Sequence, residues 1–156
     1  MEGNCMTVPE FFSIDRVAAY FDRQDYNYLT DNDGDIHINF DGISFLLLST
    51  GQIREILAIR AQWDKKAPIE ARGTLFEFIN KWHSEKLFPK ADLQVNDEGK
   101  LEVGCEVNTD LEHGVTDQQL ELLVDCAITT SLSFFTELNN LDLPAPEEPK
   151  KSPWWR

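Results

Sequence analysis

The stretch YNYLTDNDGDIHINFDGISFLLLST, residues 26–50, decides how the chain folds. Tyr26, Tyr28 and Thr30 recur at every second position, the period of a strand with one face turned inward. Asp31, Asn32, Asp33 and Gly34 then gather the residue types that tolerate a tight turn. Ile36, Ile38 and Phe40 resume the alternation against His37 and Asn39, and Asp41-Gly42 is a second hairpin signal. Ile43 to Leu48 is nearly unbroken apolar sequence, as expected of a strand near the middle of a sheet. Two hairpins in a row mean antiparallel pairing, because parallel strands need a crossover of a dozen residues or more.

After Thr50 and Gly51, Leu57, Ile59, Ala61 and Trp63 alternate with Arg60, Gln62 and Asp64, which completes a meander of four strands. Upstream, Ile14, Val17, Ala18 and Phe21 fall at i, i+3, i+4 and i+7, so the spacing predicts a helix over about residues 14–24 with Ser13 as its N-cap. Val8, Phe11 and Phe12 precede it as a separate short turn. Downstream, Pro68 marks a helix start, and Leu75, Phe78, Ile79 and Trp82 carry a second helix to residue 86. Leu93 and Val95, a turn at Asn96–Gly99, and the strict alternation of Leu101, Val103, Cys105 and Val107 with Glu102, Gly104 and Glu106 predict a further hairpin with one acidic face. Thr116 and Gln119 form a capping box that opens a third helix over residues 117–139. The order α-β-β-β-β-α-β-β-α is that of an α+β protein, an antiparallel sheet with helices packed on it. Residues 1–143 read as a single domain. Residues 144–156 form a tail with four of the seven prolines, ending in Trp154, Trp155 and Arg156.

Among 156 residues, 28 acidic side chains stand against 14 basic ones, a net charge of -14. Such a balance argues against nonspecific binding to nucleic acid or anionic membranes, which depends on Lys and Arg neutralising phosphates. The longest apolar run is far short of the ~20 residues a spanning helix requires. The opening residues Met1-Glu2-Gly3-Asn4 lack the basic and apolar pattern of an export signal. Cys5, Cys105 and Cys126 are odd in number and form no CxxC pair, so a reducing cytoplasm is the expected location. Cys105 and Cys126 read as packing residues, and Cys5 as the one open to solvent.

The charge is divided unequally. Residues 51–90 carry eight basic side chains against five acidic ones, whereas residues 91–143 carry Lys100 alone against twelve acidic ones. If those halves face different directions, they make a polarised surface able to select a basic segment or pair with a second copy.

Catalytic constellations are not visible. Asp31–Asp35 resembles a calcium loop, but placing Gly34 at the sixth position puts Leu29 at the first and Phe40 at the twelfth, where ligands are needed. His37, His83 and His113 are scattered, and Asp110, Glu112 and His113 are too few for a defined metal site. Neither a nucleophile elbow nor a phosphate loop is present. No catalytic residue, cofactor or metal is therefore expected. Phe76 stands off the apolar stripe of the second helix, while Leu122 and Leu132 widen that of the third, as on helices that bury two sides in their own core or against a second subunit. Phe76, Glu102, Glu106, Asp110, Trp154 and Trp155 are the candidate partner-binding residues.

In its punctuation the chain resembles the YbjN-domain family, bacterial proteins grouped as candidate sensory transduction regulators. The likeness rests on the Tyr28–Phe40 hairpin with Asp33 and Gly34, on Arg60, Ala61 and Trp63 before Pro68, and on Asn80, Trp82, Pro89 and Lys90. It continues through Asp97, Gly99 and Leu101 to Gly114, Val115, Thr116 and Leu120, and spans about residues 14–139. The resemblance implies a fold like that of type III secretion chaperones, small acidic proteins that commonly dimerise and hold extended client segments. It implies no active site. The expected function is a non-enzymatic cytoplasmic interaction module, a homodimer that binds a protein segment as regulator or chaperone-like adaptor. The alternative is a sensor of a small molecule or metal, with a pocket between sheet and helices near Trp63, Trp82 and His83.

Overall fold

The alternating segments all become strands of one sheet in the computed structural model, which describes residues 8–147. The helix α1 (Ile14–Arg23) leads into strands β1 (Tyr28–Thr30), β2 (Ile36–Phe40), β3 (Ile43–Thr50) and β4 (Ile56–Gln62). A 3-10 turn (Ile69–Ala71) precedes α2 (Arg72–Glu85), followed by β5 (Lys90–Val95), β6 (Leu101–Asp110) and α3 (Asp117–Asn139). All pairings are antiparallel, in the order β1-β2-β3-β4-β6-β5. This is the α+β architecture expected from the sequence.

The Asp41-Gly42 turn has φ of 51° and 83° at its two residues, a pair of left-handed conformations whose twist matches the flanking strands. Alternation then sorts the sheet into two faces. Ile36, Ile38, Phe45, Leu47, Leu57, Ile59, Leu101, Val103 and Cys105 are buried, and they form one cluster with Val17 and Phe21 of α1, Leu75 and Ile79 of α2, and Leu120, Val124 and Phe134 of α3. All three helices thus cover the same face. Phe134 anchors the helical layer, with ring centroids 5.3 Å from Phe78, 5.2 Å from Trp82 and 5.2 Å from Phe135. The other face, with His37, Asn39, Ser44, Arg60 and Gln62 exposed, carries no helix among the described residues.

Capping differs from expectation at two helices. The Thr116–Gln119 box forms in both directions, at 3.0 and 3.1 Å. Ser13 occupies the N-cap of α1 but its side chain makes no capping bond. Pro68 starts the 3-10 turn rather than α2, whose first residue is Arg72. In place of a Ser13 cap, the N-terminal segment is held by Arg16. Its guanidinium donates to the carbonyls of Glu10 (3.0 Å), Phe11 (2.9 Å) and Val115 (2.8 Å) and to Asp117 Oδ1 (2.9 Å). Glu10 and Val115 also exchange backbone hydrogen bonds. Gly114 permits this approach: its φ is +89°, and a Cβ there would lie 2.9 Å from the Glu10 carbonyl oxygen. Phe12 packs against the core, while Val8 and Phe11 remain exposed.

The two edges of the sheet differ. At β5, the Ala91 N–H donates to His83 Nε2 of α2 (2.9 Å) and the Trp82 indole donates to the Pro89 carbonyl (3.2 Å), so this edge is tied to a helix where it begins. At the opposite edge, β1 is only three residues long and its Leu29 is 75% exposed.

Candidate interaction site

The acidic residues singled out in the sequence lie on one strand. Glu102, Glu106 and Asp110 alternate along β6 and so share the helix-free face. The sheet, however, places the basic segment directly beside them. Arg60 of β4 stands opposite Glu106 on one side and Lys90 of β5 on the other. Arg60 Nε lies 3.2 Å from Glu106 Oε2, and Lys90 Nζ lies 2.6 Å from Oε1. The hydrogen bond from Lys90 is the main cause that holds the Glu106 carboxyl below its usual range. Glu102 accepts from Asn96 Nδ2 at 3.2 Å and pairs with Lys66 at 3.5 Å. Asp110 has its Oδ1 taken by the Glu112 N–H at 3.0 Å and is exposed. The two charge halves of the chain are therefore interleaved across the sheet, and Glu102 and Glu106 are largely compensated within the chain.

Around this ladder the open face is mixed. Along one row of register partners stand Leu29, His37, Leu46, Arg60, Glu106 and Lys90. Leu46 and Leu48 are only partly covered. Beside β1 a shallow recess of about 350 Å³ is lined by Leu29, His37, Asn39 and Ser44 among others, within the size range of small binding pockets. Leu29 and this recess were missed by sequence reasoning, because a Leu on a three-residue strand gives no periodic signal.

On the helical side, Phe76 is 48% exposed, with the Arg72 guanidinium 5.5 Å from its ring centre, and Leu122 is 68% exposed. Leu132 packs against the core. Of the two-sided helices, then, only the Leu132 flank is covered among the described residues. Trp154 and Trp155 lie outside the described residues.

The proposed sensor trio does not converge on a cavity between sheet and helices. Trp63 is buried with its indole donating to Asn139 Oδ1 (2.8 Å), Trp82 is buried, and His83 is engaged by Ala91. A cleft of about 440 Å³ opens instead between α2 and the end of α3. Phe78, Trp82 and Leu141 form its apolar lining, with Glu77, Glu85, Glu137 and Lys81 at its rim.

Asp31, Asp33 and Asp35 bring three carboxylates within 4.8 Å of one another. Asp31 is already occupied: Oδ1 accepts the N–H groups of Asp33 and Asp35, and Oδ2 meets His37 Nε2 at 2.8 Å. The geometry is that of a hydrogen-bonded turn, and His37 holds the Asp31 carboxyl below its usual range. Cys105 is buried, which pushes its thiol up to about 12.

Among the described residues no helix is long and apolar enough to cross a membrane. The fold and these surfaces define a class: an α+β protein whose antiparallel sheet is covered by helices on one face and open on the other. The sequence profile of the YbjN family, described as "Putative bacterial sensory transduction regulator", matches residues 13–140. The chain belongs to that family. Among solved structures it is similar to YbjN, "a putative transcription regulator from E. coli", with a TM-score of 0.73 at 18% identity, over 90% of this chain and 100% of that one. It is also similar to an uncharacterized protein from Methanothermobacter thermautotrophicus, with a TM-score of 0.53 at 11% identity, over 82% of this chain and 97% of the other. No curated protein matches the chain.

Proposed function

We propose that the protein is a non-enzymatic regulatory module that binds an extended segment of a protein partner along β1 and the adjoining open face. The observation that carries this reading is exposed Leu29 on a three-residue edge strand bordering a recess of about 350 Å³. An edge strand offers unpaired backbone groups to an incoming strand, and neighbouring side-chain sites select what it carries. Leu29 would take an apolar side chain of the added strand, and Leu46 and Leu48, two strands further in on β3, would meet apolar side chains where the segment extends over the open face. Because Glu102 and Glu106 already face Lys66, Arg60 and Lys90, any preference for a basic segment falls mainly to Asp110. Membership of a family described as regulators supports a regulatory role over an enzymatic one. The reading includes a cytoplasmic homodimer, for which Phe76 and Leu122 supply exposed apolar helix positions.

The test is site-specific photocrosslinking in the native cell. A photoreactive residue at position 29 should yield a discrete protein adduct, suppressed when Leu46 is changed to Lys, whereas one at position 87 should not. Repeated failure to form an adduct at position 29 removes the reading. Light scattering from micromolar solutions addresses the dimer, and a monomer throughout that range refutes it.

A further inference from the structure

We propose that residues 149–156, Pro-Lys-Lys-Ser-Pro-Trp-Trp-Arg, dock in the cleft between α2 and the end of α3 of the same chain. The cleft and the tail match in three respects. Its lining is aromatic and apolar, Phe78, Trp82 and Leu141, and Phe78 and Trp82 already stack on Phe134. An added indole would extend that cluster in the offset or edge-on geometry that aromatic rings prefer. The rim is acidic: Glu77, Glu85 and Glu137 against Lys81. The segment 149–156 has Lys150, Lys151 and Arg156 and no acidic side chain. Position supplies the third match. Leu141 lines the cleft and Leu143 packs against the core, so the chain leaves the domain at the cleft itself. The eleven residues from Leu143 to Trp154 reach at most about 34 Å when extended at ~3.1 Å each, ample to turn back into a site that begins two residues before them. A cleft of about 440 Å³ suits one or two side chains rather than a folded partner. The proposal is independent of the β1 edge, which lies at the other end of the sheet.

Docking in cis places Lys150 and Lys151 beside the rim carboxylates, where a carbodiimide can join amine and carboxyl directly. An equimolar mixture of unlabelled and 15N-labelled full-length chain, coupled this way and digested, should give links from Lys150 or Lys151 to Glu77, Glu85 or Glu137 within one isotope class. Those links should be lost in Trp154→Ala/Trp155→Ala. Mixed-isotope links would mean that a second copy's tail is the occupant and would overturn the proposal. So would links scattered over acidic residues elsewhere, the absence of links, or links unchanged by the Trp substitutions. Acrylamide quenching gives a second readout on uncoupled protein. Trp63 and Trp82 are buried, so the quenchable emission reports Trp154 and Trp155. That fraction should be small in the native chain and rise in Glu77→Lys/Glu85→Lys, two exposed positions; a large fraction insensitive to the reversal also overturns it.

Discussion

Replacing Arg16 with Met should cost about 2.5–5 kcal/mol, a sum built from its four acceptors. The bond to the Val115 carbonyl is partly buried, and hydrogen bonds to a charged group contribute roughly 1.5–3 kcal/mol. The carbonyls of Glu10 and Phe11 are exposed, so water replaces the lost donor and each adds only about 0.5 kcal/mol. The Asp117 side chain is 58% exposed, which limits that ion pair to roughly 0–1 kcal/mol. Methionine keeps most of the aliphatic stem, so the loss reports polar contacts rather than packing. With a urea dependence of about 2 kcal/mol per molar, the unfolding midpoint should fall by about 1.3–2.5 M. Asp117→Asn should lower it far less, and Arg16→Lys should recover less than half, because a compact ammonium cannot span the fork of acceptors. Hydrogen exchange locates the effect: the amides of Glu10 and Val115, bonded to each other's carbonyls, should lose protection before those in the middle of α3. The reasoning fails if Arg16→Met costs under about 1 kcal/mol, or no more than Asp117→Asn, since the carbonyl bonds would then contribute nothing.

Other outcomes follow from the same structure. Phe134→Ala should destabilise by about 3–5 kcal/mol in urea unfolding, since it empties a fully buried site touching three aromatic rings, whereas Leu122→Ala should stay within about 0.5 kcal/mol. Glu106→Gln should lower the urea midpoint at pH 7, by an amount that shrinks as the pH is taken down through the carboxylate range. A carboxyl held low in the folded state stabilises it above the unfolded carboxylate range, and that contribution disappears as pH falls through the lowered value. Because Glu106 is partly exposed, the effect at pH 7 should be at most about 1 kcal/mol. Iodoacetamide at pH 8 should leave Cys105 unmodified in the native protein and label it after denaturation, because burial keeps the thiol protonated. Rapid native labelling at Cys105 contradicts its placement.

The elements were legible where one local period dominates. Ile36, Ile38 and Phe40 alternate, and Leu120, Val124, Ala127 and Ile128 step by helical turns, because each segment buries one side of itself whatever its neighbours do. The start of α2 was misread by four residues, since Pro68 satisfies a 3-10 turn as readily as an α-helical first turn. The charge map misled for a different reason. Composition by segment assumes that neighbours in sequence are neighbours in space, but β4 and β6, 46 residues apart at Arg60 and Glu106, lie side by side. Register between distant strands has no local signature, and neither has Arg16, whose partners include Val115 and Asp117 about a hundred positions away. The cleft depends on how α2 meets the end of α3, which no window along the chain contains.

The inequality of the two sheet edges has a consequence for growth. A sheet whose edges both accept a strand can elongate at each end, so that copies string into open filaments. Here β5 begins under α2, with the amide of Ala91 taken by His83, so the start of that edge is blocked while β1 is free along its length among the described residues. Two copies meeting through β1 would each consume the other's β1 edge, and addition through that edge would stop at a closed pair. If β1 receives a segment as proposed, partner binding and self-association at that strand exclude each other, and raising the protein concentration would lower the apparent affinity for the segment.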